Sequence, residues 1–200
     1  MSGEPKFQAV LMRHGQTEWS INGRHTGNSD IPLTEHGEQE AAAMTEHIGG
    51  HQYDLVLSSP LLRARETCER VGLGDRAQIR QELREWDYGD YEGLTSPQIR
   101  ELNPGWNLWR DGCPGGESPE AVAARCDQIV EELLAQASGG TGDAIVFAHG
   151  HLLRSLAARW CRQPITAGER LMLSTAAASS LSFEHEVPAI QFWNRTSQDR

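Results

Sequence analysis

Short apolar runs and longer amphipathic segments alternate along this 200-residue chain. Apolar runs with the length and residue types of buried strands occur at residues 7–12, 54–58 and 144–148. Helical patterns occur at residues 34–48, from Pro60 onward, at 118–137 and at 152–161. Pro60 is expected to open the second of these helices, at a position where proline is well tolerated. Strands that alternate with helices in this way favour an α/β fold whose central sheet is mostly parallel.

Capping residues set the boundaries of the predicted helices. Thr34 begins the first helix, and Gly49 with Gly50 ends it. Ser118 caps the long helix, and Pro119 takes its first position, where no amide hydrogen is needed.

Four other segments carry weaker patterns. Residues 78–83 predict a third strand that ends just before Glu85. Residues 90–118 are irregular and rich in proline and glycine, so we expect an insertion that lies over the pocket. Residues 181–183 and 190–193 predict a closing pair of strands, whose open edge would allow a homodimer.

Composition and charge restrict the class of protein. The length suits a single domain over residues 1–200, and 38% hydrophobic with 23% charged residues is ordinary for a globular protein. Residues 1–6 are polar, and no apolar run is long enough to span a bilayer, so we expect a cytoplasmic protein without membrane partners. The net charge of -10 disfavours nucleic acid.

The cysteines and histidines offer few metal-binding patterns. Cys68, Cys113, Cys126 and Cys161 lack paired spacing, so we expect reduced thiols that pack in the interior. His149 and His151 could form a metal pair, but no Asp/His cluster accompanies them at ligand spacing, so we expect neither metal nor cofactor.

Reactive side chains follow the predicted strands. Arg13, His14 and Gly15 end the first, Ser58 and Ser59 end the second and lead to Arg63, His149 and Gly150 end the 144–148 strand, and Glu85 follows the 78–83 strand. The carboxyl ends of parallel strands meet at one edge of a sheet, so these groups should converge. Two histidines, two arginines and a carboxylate suit a phosphate ester, because arginine forks match phosphate oxygens and histidine is a nucleophile.

Three smaller expectations concern single residues. We expect Gly15 to permit backbone angles that other residues avoid as the chain leaves the strand. His25 is expected to be exposed and His151 to lie at the pocket rim. The tryptophans Trp86, Trp106 and Trp109 are expected in the core.

An ordered set of motifs spans residues 7 to about 183 of the sequence. It comprises Leu11-Met-Arg-His-Gly-Gln-Thr17, Leu33-Thr-x-x-Gly37, Ser58-Ser-Pro-Leu-x-Arg-Ala-x-x-Thr67, Leu83-Arg-Glu-x-x-x-Gly-x-x-Glu-Gly93, Gly116-Glu-Ser118 and Ala148-His-Gly150 with Arg154. This set resembles the histidine phosphatase superfamily, the phosphoglycerate-mutase-like proteins. The strings Arg24-His-Thr-Gly27 and Glu85-Trp-Asp-Tyr-Gly-Asp-Tyr-Glu-Gly93 resemble a branch with acid phosphatases and sedoheptulose-bisphosphatase-like enzymes.

The resemblance implies a three-layer α/β/α sandwich and hydrolysis of small phosphomonoesters, such as sugar phosphates, through a phosphohistidine on His14. It makes Arg13 and Arg63 phosphate clamps, His149 a further phosphate donor, and Glu85 the general acid. Glu92 and Glu117 are alternative candidates for this general acid.

The resemblance also assigns a substrate side. That side comprises the phosphate-contacting groups with Ser20, Arg24, Thr26, Gly27, Gly150 and His151, and its partner is a small phosphorylated metabolite. The family often has asparagine where this chain has Ser20, so that contact is made differently here.

Two alternatives stay open. The first is a cofactor-dependent phosphoglycerate mutase, against which stands Asp111 after Arg110, where the mutases carry a second basic residue. The second is a non-catalytic regulatory protein that binds a phosphorylated ligand. The intact pairs Arg13-His14 and Arg63 with His149 weigh against it.

Overall fold

A computed structural model of the protein describes residues 7–48, 50–140 and 142–199. The polar start at residues 1–6 and the first glycine of the expected helix stop, Gly49, lie outside the described residues. The strands are β1 Ala9–Arg13, β2 Tyr53–Ser58, β3 Gln78–Ile79, β4 Asp143–Ala148, β5 Ala178–Glu184 and β6 Val187–Arg195. They form a six-stranded sheet in the order β3-β2-β4-β1-β5-β6.

The sheet is parallel on one side and antiparallel on the other. Strand β4 pairs in parallel with both β1 and β2, and β2 pairs in parallel with β3. Strand β5 pairs antiparallel with β1 and with β6. The predicted mostly parallel sheet is therefore confirmed, and the closing strands form its antiparallel end.

Helices cover both faces of this sheet. They are α1 Glu18–Ile21, α2 Glu35–Ala43, α3 Thr45–Ile48, α4 Leu62–Arg70, α5 Ser96–Leu102, α6 Leu108–Asp111, α7 Pro119–Ser138 and α8 Gly150–Trp160. A separate hydrophobic core lies on each face of the sheet, and successive side chains of β4 point to opposite cores. Val146 packs with residues of α7 and α8, whereas Phe147 packs with residues of α3 and α4. The predicted three-layer α/β/α sandwich is thus confirmed.

Several predicted boundaries were wrong. Residues 34–48 form two helices, because the chain turns at the fully buried Met44 between α2 and α3. Thr34 does cap α2, with its hydroxyl oxygen 3.0 Å from the amide of Gly37. Pro60 precedes rather than opens α4, which begins at Leu62.

The third strand is much shorter than predicted. Only Gln78 and Ile79 pair with β2, and residues 81–83 form a 3₁₀ turn. The turn directs Leu83 into the core, where its exposure is 0%. Burial of this leucine outweighs extension of an exposed edge strand, so Glu85 is carried on a loop.

Residues 90–118 contain helices α5 and α6 as well as irregular chain. Trp106 and Trp109 belong to the core that α7 and α8 form with the sheet, as does Trp86 before this segment. The expected core position of the three tryptophans is confirmed.

Two other expectations concern helices and thiols. Among the described residues, no helix is both long and apolar enough to cross a membrane. All four cysteines are free, and Cys68, Cys113 and Cys126 are buried. Burial raises the pKa of each of these three thiols to about 12, so they are unreactive packing residues.

Candidate active site

His14 lies immediately beyond β1, where its amide bonds the carbonyl of Ala148 at 3.0 Å. The next residue, Gly15, has no left-handed backbone angle, so the expected reason for glycine was wrong. A Cβ on Gly15 would lie 2.3 Å from the carbonyl oxygen of Gly37, and one on Gly37 would lie 2.1 Å from that of Gln16. Glycine is required because this loop and α2 pack backbone against backbone.

The ring of His14 is held in one tautomer. Its Nδ1 lies 2.8 Å from the carbonyl oxygen of Gly15, and a carbonyl only accepts, so Nδ1 carries the hydrogen. Burial, with the charges of Arg63 and Arg13, holds the pKa of His14 well below its usual value of 6.5. The neutral ring therefore has its free electron pair on Nε2.

A cavity of about 230 Å³ opens in front of this ring. It is lined by Arg13, His14, Thr17, Ser20, Gly23, Arg24, His25, Thr26, Glu85, Tyr88, Ser96, Gly150, His151, Arg154 and Leu173. Eight of these were predicted from the sequence: Arg13, His14, Ser20, Arg24, Thr26, Glu85, Gly150 and His151. His151 lines the cavity, as expected of a rim residue.

Arg13 presents a partly bonded guanidinium to the cavity. Its Nη1 donates to the carbonyl of Leu173 at 2.5 Å, whereas its buried Nε has no partner among the described residues. Gly150 lets the backbone at the start of α8 lie against this group, since a Cβ there would be 3.4 Å from Nε. A buried donor without a partner is costly, so Arg13 is built to meet an anion.

Arg63 and His149, which the resemblance made phosphate contacts, are not among the residues that line the cavity. Both are fully buried, and the Nε of Arg63 donates to Nδ1 of His149 at 3.1 Å. Arginine only donates, so His149 carries its hydrogen on Nε2, which donates to the hydroxyl oxygen of Ser59 at 2.7 Å. The ring centroids of His149 and His14 are 5.3 Å apart.

The remaining donors of Arg63 hold the substrate-side loop. They reach the carbonyl oxygens of Thr26, Gly27 and Ser29 at 2.9–3.1 Å. Gly27 does not line the cavity, and a Cβ on it would lie 2.6 Å from the carbonyl oxygen of Trp86. Arg63 therefore joins the nucleophile side of the site to the loop that closes it.

The carboxylate of Glu85, which lies on a loop distant in sequence, caps the start of α8. Its Oε1 accepts from the amides of Trp86 and Leu152 at 2.9 Å, and its Oε2 accepts from the amide of His151 at 3.0 Å. This contact explains why α8 begins at Gly150, two residues before the predicted start. The carboxylate is thus held rigidly in the cavity wall.

Arg125 of α7 holds the chain around Glu85. Its Nη1 donates to the carbonyls of Glu82 and Arg84 at 2.7 Å, and its Nη2 donates to that of Glu85 at 3.2 Å. Its Nε and Nη2 also bond the two carboxylate oxygens of Glu117 at 2.8 Å. This mostly buried side chain therefore holds in place the loop that carries Glu85, beside a β3 that is shorter than predicted.

Glu92 and Glu117, the two alternative candidates for the general acid, do not line the cavity. Glu117 is bonded to Arg125 and to the amide of Asp87 at 2.9 Å. Glu92 accepts from the amides of Gly27 and Ser29 at 3.0 Å. Neither carboxylate lines the cavity with Glu85.

Ser20, Thr26 and Arg24 lie on the cavity rim. The Ser20 hydroxyl donates to the carbonyl of Thr17 at 2.8 Å within the cap of α1. The Thr26 hydroxyl donates to the carbonyl of Arg24 at 3.2 Å, and the exposed guanidinium of Arg24 lies over the ring of Trp19.

Seven cavity residues were missed as site residues: Thr17, Gly23, His25, Tyr88, Ser96, Arg154 and Leu173. His25 is 8% exposed, so its expected exposure was wrong, because the rings of Tyr88 and Trp106 pack edge-on against it. Tyr88, Arg154 and Thr17 stand inside the quoted motifs, which were the available signal. Among the described residues, no group of three or more His, Cys, Asp or Glu side chains could hold a metal ion.

This α/β sandwich, with a neutral histidine and a partly bonded guanidinium lining one cavity, has the organisation of an enzyme that transfers phosphoryl groups through histidine. Its sequence from residue 9 to 196 matches the model of the histidine phosphatase superfamily (branch 1). The chain belongs to that superfamily, as the motifs predicted, and it is a phosphatase.

Similar proteins support this assignment. An acid phosphatase of Mycobacterium tuberculosis is 39% identical over 187 residues, covering 92% of this chain and 91% of that protein. A sedoheptulose 1,7-bisphosphatase of Saccharomyces cerevisiae is 39% identical over 181 residues, covering 76% and 67%. A solved open-reading-frame product of M. tuberculosis superposes with a TM-score of 0.90 at 38% identity, covering 96% and 98%.

Proposed function

We propose that this phosphatase hydrolyses small phosphomonoesters of sugar-like metabolites through a phosphohistidine on Nε2 of His14. The observation that carries the proposal is the hydrogen bond from Nδ1 of His14 to the carbonyl of Gly15, 2.8 Å long. It leaves Nε2 as the attacking atom, beside the guanidinium of Arg13. The cavity volume of about 230 Å³ favours a small leaving group.

The reaction takes two displacements. In the first, Nε2 of His14 forms a bond to phosphorus while the bond to the ester oxygen breaks, and Glu85 gives that oxygen a proton. In the second, Glu85 takes a proton from water, whose oxygen attacks phosphorus as the N–P bond breaks. Arg13 meets the charge on the phosphoryl oxygens in both steps.

A structural detail favours hydrolysis over mutase activity. Arg110 lies on the exposed side of α6, where its guanidinium bonds the carboxylate of Asp111 and the carbonyl of Gly105. Within the described part of the chain, neither Arg110 nor any other residue of α6 places a cation on the cavity. A cytoplasmic location belongs to the same proposal, supported by the four unpaired thiols.

Replacement of His14 tests the proposal. We expect His14→Ala to lower phosphate release from p-nitrophenyl phosphate by at least about 10⁴-fold. An acid quench should break down a phosphoenzyme that survives an alkaline quench in the wild type, and the variant should form none.

The matched control is His36→Ala, which changes an exposed histidine on α2 and should leave both readouts intact. Residual activity of His14→Ala above about one tenth of wild type would contradict a histidine nucleophile. Interconversion of 3-phosphoglycerate faster than phosphate release would establish the mutase instead. Ligand binding without turnover would establish a regulatory protein.

A further inference from the structure

A wall of three rings stands on the Glu85 side of the cavity. His25, Tyr88 and His151 all line it. The rings of His25 and His151 are stacked, with centroids 5.9 Å apart and planes within 1° of each other. Tyr88 meets His25 edge-on at 4.7 Å, and its hydroxyl lies 2.6 Å from Nδ1 of His151. These contacts leave the rings little freedom to reorient.

His25 is locked in one tautomer. Its backbone amide and its Nδ1 both lie 2.9 Å from the carbonyl oxygen of Leu94. A carbonyl only accepts, so Nδ1 carries the hydrogen and Nε2 carries a free electron pair. Burial lowers the pKa of His25 from its usual value, so the ring stays neutral. No hydrogen bond joins Nε2 to another described residue.

An acceptor nitrogen in a phosphate pocket limits what the leaving group can be. Phosphate and carboxylate oxygens also accept, so they gain nothing from Nε2 of His25. A hydroxyl group donates and therefore fits. With the phosphoryl group between His14 and Arg13, the alcohol half of an ester has only the rest of the cavity, including this wall, to occupy.

We propose that His25 determines specificity by accepting a hydrogen bond from a free hydroxyl on the alcohol half of the substrate. The site then prefers phosphates of sugars and polyols to plain alkyl phosphates. This inference rests on the proposed phosphatase function. It adds a residue whose role is to bind the leaving group and not the phosphate.

Two esters of equal chain length test it: sn-glycerol 3-phosphate, which has two free hydroxyls, and n-propyl phosphate, which has none. We expect wild-type kcat/KM to be about tenfold higher for the glycerol ester, the effect of one well-formed hydrogen bond. In His25→Phe, which keeps a ring but no acceptor, the ratio of kcat/KM between the two esters should fall to about one.

A second variant guards against loss of fold. His25→Gln places an amide oxygen near the position of Nε2 and should retain part of the preference. Equal kcat/KM for the two esters in the wild type, or an unchanged ratio in His25→Phe, would overturn the inference. Wild-type hydrolysis of p-nitrophenyl phosphate separates the two proposals, because its absence would refute the phosphatase function itself.

Discussion

The two sides of the cavity are built differently. On the nucleophile side, Arg13 and His14 stand at the end of β1, and Arg63 with His149 supports them from behind through buried hydrogen bonds. On the leaving-group side, His25 and the residues around it come from loops and from the start of α8.

This difference assigns phosphoryl transfer to the nucleophile side and substrate specificity to the leaving-group side. On the nucleophile side, the carbonyl of Gly15 fixes the tautomer of His14, and Arg63 with Ser59 fixes that of His149. These contacts involve no part of the alcohol, so this side can serve any phosphate ester. The leaving-group side presents ring edges and a free acceptor, so it can distinguish one alcohol from another. A substitution on the first side should reduce every activity, and one on the second should change ratios between substrates.

Among substitutions that test this division, Arg63→Lys on the nucleophile side should have the largest effect. A single ammonium cannot replace donors to His149 and to three loop carbonyls, so kcat/KM should fall by about 10²–10³-fold for all esters alike. The free energy of unfolding should fall by about 3 kcal/mol, because the buried His149 and three loop carbonyls lose their donor. Steady-state kinetics and urea titration measure the two quantities.

The neighbouring Arg65 on α4 is exposed, so Arg65→Lys is the matched control and should change neither quantity. If Arg63→Lys affected one class of ester much more than another, the division between the two sides would be wrong.

A selective effect is expected from Arg125→Met. Loss of this side chain frees the loop that carries Glu85, so protonation of the leaving group should suffer. We expect kcat for an alkyl phosphate to fall by about tenfold or more, and kcat for p-nitrophenyl phosphate to change little, since nitrophenolate leaves without a proton.

Glu85→Gln should give the same selectivity, and the double variant should be no worse than Glu85→Gln alone. Arg159→Met, which removes a partly exposed pair with Asp127, should leave the ratio of the two esters intact. Equal losses of kcat on both esters in Arg125→Met would show that Arg125 stabilises the fold and does not position Glu85 for proton transfer.

The smallest effect on activity is expected from pH, whose effect on stability reports on the buried imidazoles of both sides. The pKa values of His14, His149 and His151 lie well below 6.5 because the rings are buried near cations. Below pH 6.5 the unfolded chain binds protons that the native protein does not, so stability falls as pH falls. Each ring should contribute about 1.4 kcal/mol per pH unit in that range.

Urea unfolding at pH 6.5 and one unit to either side measures this slope. His149→Gln should make it shallower, and His36→Gln, at an exposed position, should not. A stability that does not change below pH 6.5 would show that the buried rings titrate normally. Activity should persist into mild acid, since His14 stays neutral there.

The sequence by itself determined the sandwich and the nucleophile side. The continuous apolar run of residues 144–148 reflects a strand buried on both faces, and the helical periodicity of 118–137 reflects a helix buried on one side. Both patterns depend on local order alone. Parallel strands bring their ends together, so the sequence alone groups Arg13, His14 and His149.

Only the tertiary structure decided the rest. Contacts between residues far apart in the chain set the cap from Glu85 to α8, the bond from His25 to Leu94, and the burial of Leu83 that ends β3 early. The need for glycine at position 15 comes from Gly37 on another element. Such contacts depend on how loops fold back in space, and no periodicity along the chain records that.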